Sequence, residues 1–303
     1  HSGERSPGSE RASVDSHGLL LGGEVRGAFL QGSGWEGLRA HIEAVEGMGG
    51  TALTLRAGMD AMDAETLVCL RISDSGTEGL TGDDWDEEGN FRRLCIQNFS
   101  TGNDTGRGGS FGLGKAVSWM HSRLLTVLFS SCVHGRENDG LRLFGRSELP
   151  AHELAGTTYL DGAYLGVQGQ KDGIEVALSD WRSAEQSADL KLDRAGVEGT
   201  GTTLLIPAFH GPDREEAGSP GRRDPEDLCR DFTQAAAKWF WPAISWGRLD
   251  VQARVFQSGG ASATYVSRAE IDGTWAPSLA ASRTIPEGAA AIDPGDSAAL
   301  DIT

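Results

Sequence analysis

Positive charge is what this chain is short of. Its 27 lysines and arginines face 44 aspartates and glutamates, for a formal net charge of −17 over 303 residues. Such a balance argues against a surface built mainly to grip nucleic-acid phosphates, although it leaves room for a local basic patch. Acidic excess is also the ordinary means of keeping a protein dispersed. Long apolar runs are missing too: no stretch of 18 apolar residues occurs, so no membrane-spanning helix is expected. Residues 1–18 are polar and carry no apolar segment of the kind a secretory signal needs; they read as a mobile tail or loop. Cysteine is scarce. Cys69, Cys95, Cys132 and Cys229 are widely spaced and form no C-x-x-C pair; with seven scattered histidines they give neither a metal-site signature nor a disulfide framework. A reducing cytoplasm is the simplest setting to expect. The first residue is His1 rather than Met, and the last stretch runs out in Ala, Asp and Gly, so a segment of a longer protein is expected. No internal repeat is present.

What the chain does have is enough apolar material, 38% of its residues, to bury a substantial core. WEGLRAHIEAV, residues 35–45, sets Leu38, Ile42 and Val45 at helical spacing. TLVCLRISD, residues 66–74, is a nearly continuous apolar run ending in an acid, as a buried strand reads when it delivers a side chain at its end. An acidic, turn-forming stretch follows, then FRRLCIQNF, a short helix by its pattern. Residues 100–114, STGNDTGRGGSFGLG, hold six glycines and cannot form a regular element, yet a helical pattern, KAVSWMHS, follows directly. LLTVLFSS, residues 124–131, predicts a second buried strand. Further strands are expected at residues 140–147, 155–167 and 202–207, with residues 180–198 as a connection that covers nothing. Residues 211–224, rich in Gly, Pro and paired opposite charges, read as a linker. Residues 225–303 then hold a helix to about residue 240, with Pro225 near its first turn, and a strand at RLDVQARVF, the expected start of a second domain.

Residues 109–115, GSFGLGK, match the spacing G-x-x-x-x-G-K of a phosphate-binding P-loop, in which glycine N–H groups, a helix N-terminus and a lysine meet phosphate. Ala116 stands where that motif needs a hydroxyl for Mg²⁺, and no strand runs straight into the loop. A degenerate P-loop NTPase is therefore the alternative, not the first choice. Taken with its neighbours the loop points elsewhere. Asp74-Ser75-Gly76-Thr77-Glu78-Gly79 is a D-x-G-x-x-G turn at a strand end, GGSFGLG follows, and Gly199-Thr200-Gly201-Thr202 opens a later strand.

That order resembles three of the four signature boxes of the GHKL superfamily, which includes gyrase, the ninety-kilodalton heat-shock chaperone, histidine kinases and MutL. The lid is most similar to the chaperone and MORC branches. The resemblance covers residues 66–207 and implies an α+β fold for residues 19–210. It is the Bergerat-type two-layer α/β sandwich, a mixed, mostly antiparallel sheet covered by helices, with an ATP lid. It also implies that Asp74 accepts a hydrogen bond from the adenine amino group, that Gly76 and Gly79 let the backbone pass close to the base, and that Thr202 supports the acid. Gly108, Gly109, Ser110, Phe111, Gly112, Leu113 and Gly114 would form the lid, with N–H groups near the helix start on the phosphates. Lys115 departs from the commonest family patterns, which carry an uncharged residue there, but its place and charge suit it to neutralise phosphate.

The family's remaining box, a helix with E-x-x-x-N-x-x-D/N that supplies the water-activating Glu and the Mg²⁺-holding Asn, is not visible; MDAMDAE, residues 59–65, superficially resembles its end, but it has no Glu or Asn at the earlier positions and sits too close to the strand at 66–74, so it reads as coincidence. Either it lies upstream of His1 or it has been lost, so the catalytic residues are unknown and hydrolysis is left open. The function implied is a nucleotide-driven conformational switch using ATP and Mg²⁺, with a homodimer as one assembly. The alternatives are a nucleotide sensor without turnover and the catalytic domain of a histidine kinase. For the kinase no phosphoacceptor helix is visible, and His41 and His121 read as surface or core histidines on their helices.

Overall fold

A computed structural model of the chain describes residues 12–45, 49–97, 115–211, 225–245, 249–257 and 260–266. The elements run β1 (Ala12–Gly22), α1 (Gly23–Gly32), α2 (Trp35–Glu43), α3 (Gly50–Asp63), β2 (Thr66–Ser75), a π-helical turn (Arg92–Ile96), α4 (Ala116–Met120), β3 (Thr126–Cys132) and β4 (Leu141–Ser147). After them come β5 (His152–Leu154), β6 (Thr157–Tyr159), β7 (Ala163–Leu165), β8 (Val167–Lys171), β9 (Ile174–Leu178), β10 (Asp180–Arg182) and α5 (Ala184–Ser187). The chain closes on β11 (Gly201–Pro207), α6 (Pro225–Ser245), β12 (Leu249–Gln257) and β13 (Gly260–Val266).

The main sheet has the order β10-β4-β3-β11-β2-β1-β12-β13, with β7 also paired to β4; β5–β6 and β8–β9 are separate hairpins. Its pairings are antiparallel except that of β1 with β12. Side chains divide between the faces with the period of two that a pleated strand imposes. On β2, Leu67 and Cys69 face one way and Leu70 and Ile72 the other; on β3, Leu128 opposes Val127 and Phe129; on β11, Leu205 opposes Leu204 and Ile206. The first face is covered by α1, α2 and α3 through Phe29, Trp35, Ile42, Leu55 and Met62. Phe91, Cys95 and Trp119, from the π-helical turn and α4, cover the second, and Phe232 of α6 packs against that cluster. Burial on both faces explains why TLVCLRI and TVLF read as apolar runs rather than alternations. Each fully buried Leu or Phe contributes about 1.5–3 kcal/mol.

The fold is thus the expected α+β sandwich on a mixed, mostly antiparallel sheet. Helices lie on both faces rather than one, because the sheet's central strands are apolar on both sides. Four further differences have physical causes. Residues 12–18, which read as a tail, belong to β1, held by backbone pairing to β2 on one side and β12 on the other. Residues 180–198 do cover the core: Leu190 and Leu192 are buried in the first-face cluster, and Arg194 is buried as well. The expected strand at residues 155–167 is broken into β6 and β7, preceded by β5. In residues 225–266, which read as the start of a second domain, β12 and β13 continue the same sheet and α6 packs Ala237 and Ile244 toward Leu249 and Val251. The linker expected at residues 211–224 lies, from residue 212 on, outside the described residues. Among the described residues no helix is long and apolar enough to cross a membrane.

Candidate functional site

Asp74 is the last residue but one of β2, and the pairing of β11 beside it brings Thr202 to the same end of the sheet although the two lie 128 positions apart in the chain. The Thr202 backbone N–H donates to Asp74 Oδ1. Asp74 Oδ2 accepts from Thr77 Oγ1 at 2.9 Å, so the turn's own threonine braces the carboxylate from the other side. A carboxylate oxygen carries two lone pairs, so each oxygen of Asp74 retains acceptor capacity beyond its internal bond. The turn is tied to the β11 entry by two more bonds: Gly76 N donates to Thr200 O at 3.1 Å, and Thr200 Oγ1 to Thr77 O at 2.6 Å. Of the residues expected at the site, Asp74, Gly76, Gly79 and Thr202 are thereby assembled on one patch.

Gly79 shows why the turn needs glycine. Its φ is +71°, and a Cβ built on it would stand 2.5 Å from Ser131 Oγ and 2.8 Å from the Cys132 carbonyl oxygen of β3. The backbone passes that close because Ser131 Oγ accepts from Leu80 N at 2.9 Å and donates to Gly201 O at 2.8 Å, stitching turn, β3 and β11 together. Asn90 Nδ2 donates to Gly79 O at 3.1 Å from beyond the acidic stretch.

Arg194 completes the cluster and had no local sequence signal. It is 4% exposed and donates to Asp74 O at 2.9 Å, to Thr203 Oγ1 at 3.2 Å and to Gly199 O at 3.4 Å. Burial pushes its guanidinium down from the ordinary value, with Asp74 opposing that shift. Thr203 Oγ1 in turn lies 2.9 Å from Ser73 Oγ. One buried cation therefore locks the carbonyl of the site's acid, the glycine turn before β11 and the polar pair beneath them. Thr77 and Thr200 lie inside the D-x-G and G-T segments and were legible as neighbours; Arg194 was not, because only the tertiary fold brings it across.

Lys115 has protein partners of its own. Its Nζ donates to the carbonyls of Arg93, at 2.8 Å, and Gln97, filling acceptors at the end of the π-helical turn. A cation at a helix C-terminus is favourable in its own right. Desolvation lowers its pKa from the ordinary value, and the nearby Arg146 adds to that. Gly108, Gly109, Ser110, Phe111, Gly112, Leu113 and Gly114, the expected lid, lie outside the described residues.

Helix α3 leads straight into β2, and it carries Arg56, Asp60 and Asp63 at the spacing of E-x-x-x-N-x-x-D. Arg56 stands where that pattern has Glu and Asp60 where it has Asn, so the pattern is not matched. Two residues link α3 to β2. Asp63 is gripped by Arg39 of α2 at 2.8 and 3.0 Å, and Arg56 and Asp60 are exposed. Among the described residues no group of three or more His, Cys, Asp or Glu side chains is arranged to hold a metal ion. Comparisons with protein-family models, with curated proteins and with solved structures find no match to this chain.

Proposed function

We propose that this chain is an adenine-nucleotide-binding domain of the GHKL type that works as a nucleotide-driven conformational switch. The observation that carries the proposal is the braced Asp74 carboxylate. It is held by Thr202 N and Thr77 Oγ1 at the end of a central strand, with a glycine turn beside it and spare lone pairs on both oxygens. Such an acceptor suits an exocyclic amine, and its fixed geometry removes the cost of ordering it on binding. The order of D-x-G turn, glycine-rich segment and G-T strand agrees with this.

A second reading, a nucleotide sensor without turnover, is favoured by α3. Arg56 stands at the spacing where the family's Glu would activate water, and a guanidinium cannot take up a proton. Isothermal titration of the chain with ATP, ADP and GTP, alongside Asp74→Asn, tests the site. ATP and ADP are expected to bind and GTP, which offers a carbonyl in place of the amine, to bind weakly. Loss of a charged acceptor worth about 1.5–3 kcal/mol should weaken adenine nucleotides roughly 10- to 150-fold in Asp74→Asn. Unchanged affinity in that variant removes Asp74 from the site. Phosphate release separates switch from sensor, and labelled protein would point to the kinase alternative.

A further inference from the structure

Strand β7 divides two cavities, of about 420 and about 580 Å³, and His41, Ala163, Tyr164 and Gly166 line both. Neither is lined by Asp74, Gly76, Gly79 or Thr202. The larger falls within the size range of small-molecule sites. Its rings come from separate parts of the chain: His41 from α2, Trp85 and Phe91 from the stretch after β2, His152 and Tyr159 from the β5–β6 hairpin, and Tyr164 from β7. Trp85, Tyr159 and Tyr164 are 38%, 38% and 46% exposed. Three half-open rings around one cleft leave part of their flat apolar surface exposed.

Hydrogen bonding fixes the polarity of the shared wall. His152 Nδ1 lies 2.8 Å from the Pro150 carbonyl oxygen, which can only accept, so Nδ1 carries the proton and Nε2 of the neutral ring carries a lone pair. His41 Nδ1, 2.8 Å from that Nε2, must therefore be its donor. Neutral His41 is left with a lone pair on its own Nε2, which has no hydrogen-bond partner among the described residues. Tyr159 holds both rings in place, stacked on His152 at 5.3 Å and edge-on to His41 at 4.6 Å. The charges lining the larger cavity are already engaged: Asp84 with Ser179 and Arg142, Glu175 with Gln168, Arg92 with Glu87. The Lys171 ammonium sits 4.3 Å from the Trp85 ring and opposes a cationic ligand.

We propose that this cleft binds an uncharged, flat aromatic molecule with one N–H or O–H donor, of the indole or phenol class. The ring lies against Trp85, Tyr159 and Tyr164, and the donor meets His41 Nε2. The site is independent of the Asp74 cluster. Titration calorimetry of the chain at pH 8 with indole against 1-methylindole, and phenol against anisole, tests it, because methylation removes the donor and keeps the ring. Indole and phenol bind saturably, each at least about tenfold tighter than its methylated partner, a difference of about 1.4 kcal/mol. His41→Phe abolishes that difference, and Tyr159→Ala weakens all four compounds. The decisive comparison is made on the unsubstituted chain, so it does not depend on either variant folding. No saturable binding of indole or phenol, equal affinity within the methylated pairs, or tighter binding of the cation tryptamine than of indole would overturn the proposal.

Discussion

Replacing Gly79 with alanine measures how firmly the turn after Asp74 is seated on β3. Two costs add. A Cβ in the left-handed region costs about 1–2 kcal/mol at any exposed position. At Gly79 that Cβ also meets Ser131 Oγ at 2.5 Å and the Cys132 carbonyl oxygen at 2.8 Å. Relief requires Ser131 to swing away from Leu80 N or Gly201 O, or the backbone to shift. Leaving one such buried group unsatisfied costs about 1–3 kcal/mol. The expected total is roughly 2–5 kcal/mol, a large share of the roughly 5–15 kcal/mol that stabilises an ordinary domain. Gly135 supplies the control, for its φ is +77° and a Cβ there meets nothing within 4 Å. Gly135→Ala should therefore cost only the backbone share, about 1–2 kcal/mol. Urea denaturation followed by tryptophan fluorescence and circular dichroism gives both values, with equal slopes required for the comparison. If Gly79→Ala is no more destabilising than Gly135→Ala, to within about 0.5 kcal/mol, the close seating of the turn is refuted.

Lys115→Met removes two donors from the end of the π-helical turn and should cost about 1–3 kcal/mol in urea denaturation, while weakening ATP and ADP alike. A selective loss of ATP would return Lys115 to the terminal phosphate. Burial pushes the Cys69 thiol up to about 12 and raises that of Cys95 as well, so neither should react with an aromatic disulfide reagent at pH 8 until the chain is unfolded. Prompt modification of either, mapped by mass spectrometry, contradicts their burial. Burial, aided by His152 at His41 and by Arg123 at His210, holds both imidazoles below their ordinary value of 6.5. Below 6.5 the unfolded chain then takes up protons that the folded chain does not, so stability falls as pH drops from 7.5 toward the folded pKa and levels off beneath it. Urea midpoints between pH 7.5 and 5.5 should show this slope, flattened in His41→Gln and His210→Gln; a rise on acidification has the wrong sign for this account.

The central strands were legible because their burial is local in sequence: TLVCLRISD, LLTVLFSS and the stretch to Pro207 are apolar whichever neighbours they acquire. β1 was not, because SVDSHG carries no pattern and is a strand only by virtue of backbone pairing on both sides. Leu190 and Leu192 sit among acidic and polar residues, and nothing short of the fold shows that both turn inward. At the site, Asp74 and Thr202 were readable from turn chemistry at a strand end and a strand start. Arg194 and Ser131 were not, since each acts on atoms far away in sequence. Lys115's contacts were hidden for the same reason: its charge was evident, but the carbonyls of Arg93 and Gln97 that take it are set by a π-helical turn with no sequence signature.

The parallel pairing of β1 with β12 joins residues 12–19 to residues 249–256. During synthesis, therefore, one edge of β1 stays without its partner strand until nearly the whole described chain has emerged from the ribosome. Closing so long a loop is entropically late, and a strand kept waiting with open N–H and C=O groups is a hazard for wrong pairing. The polar composition of β1 then acquires a use: SVDSHG is a poor template for intermolecular strands while its true partner is still being made.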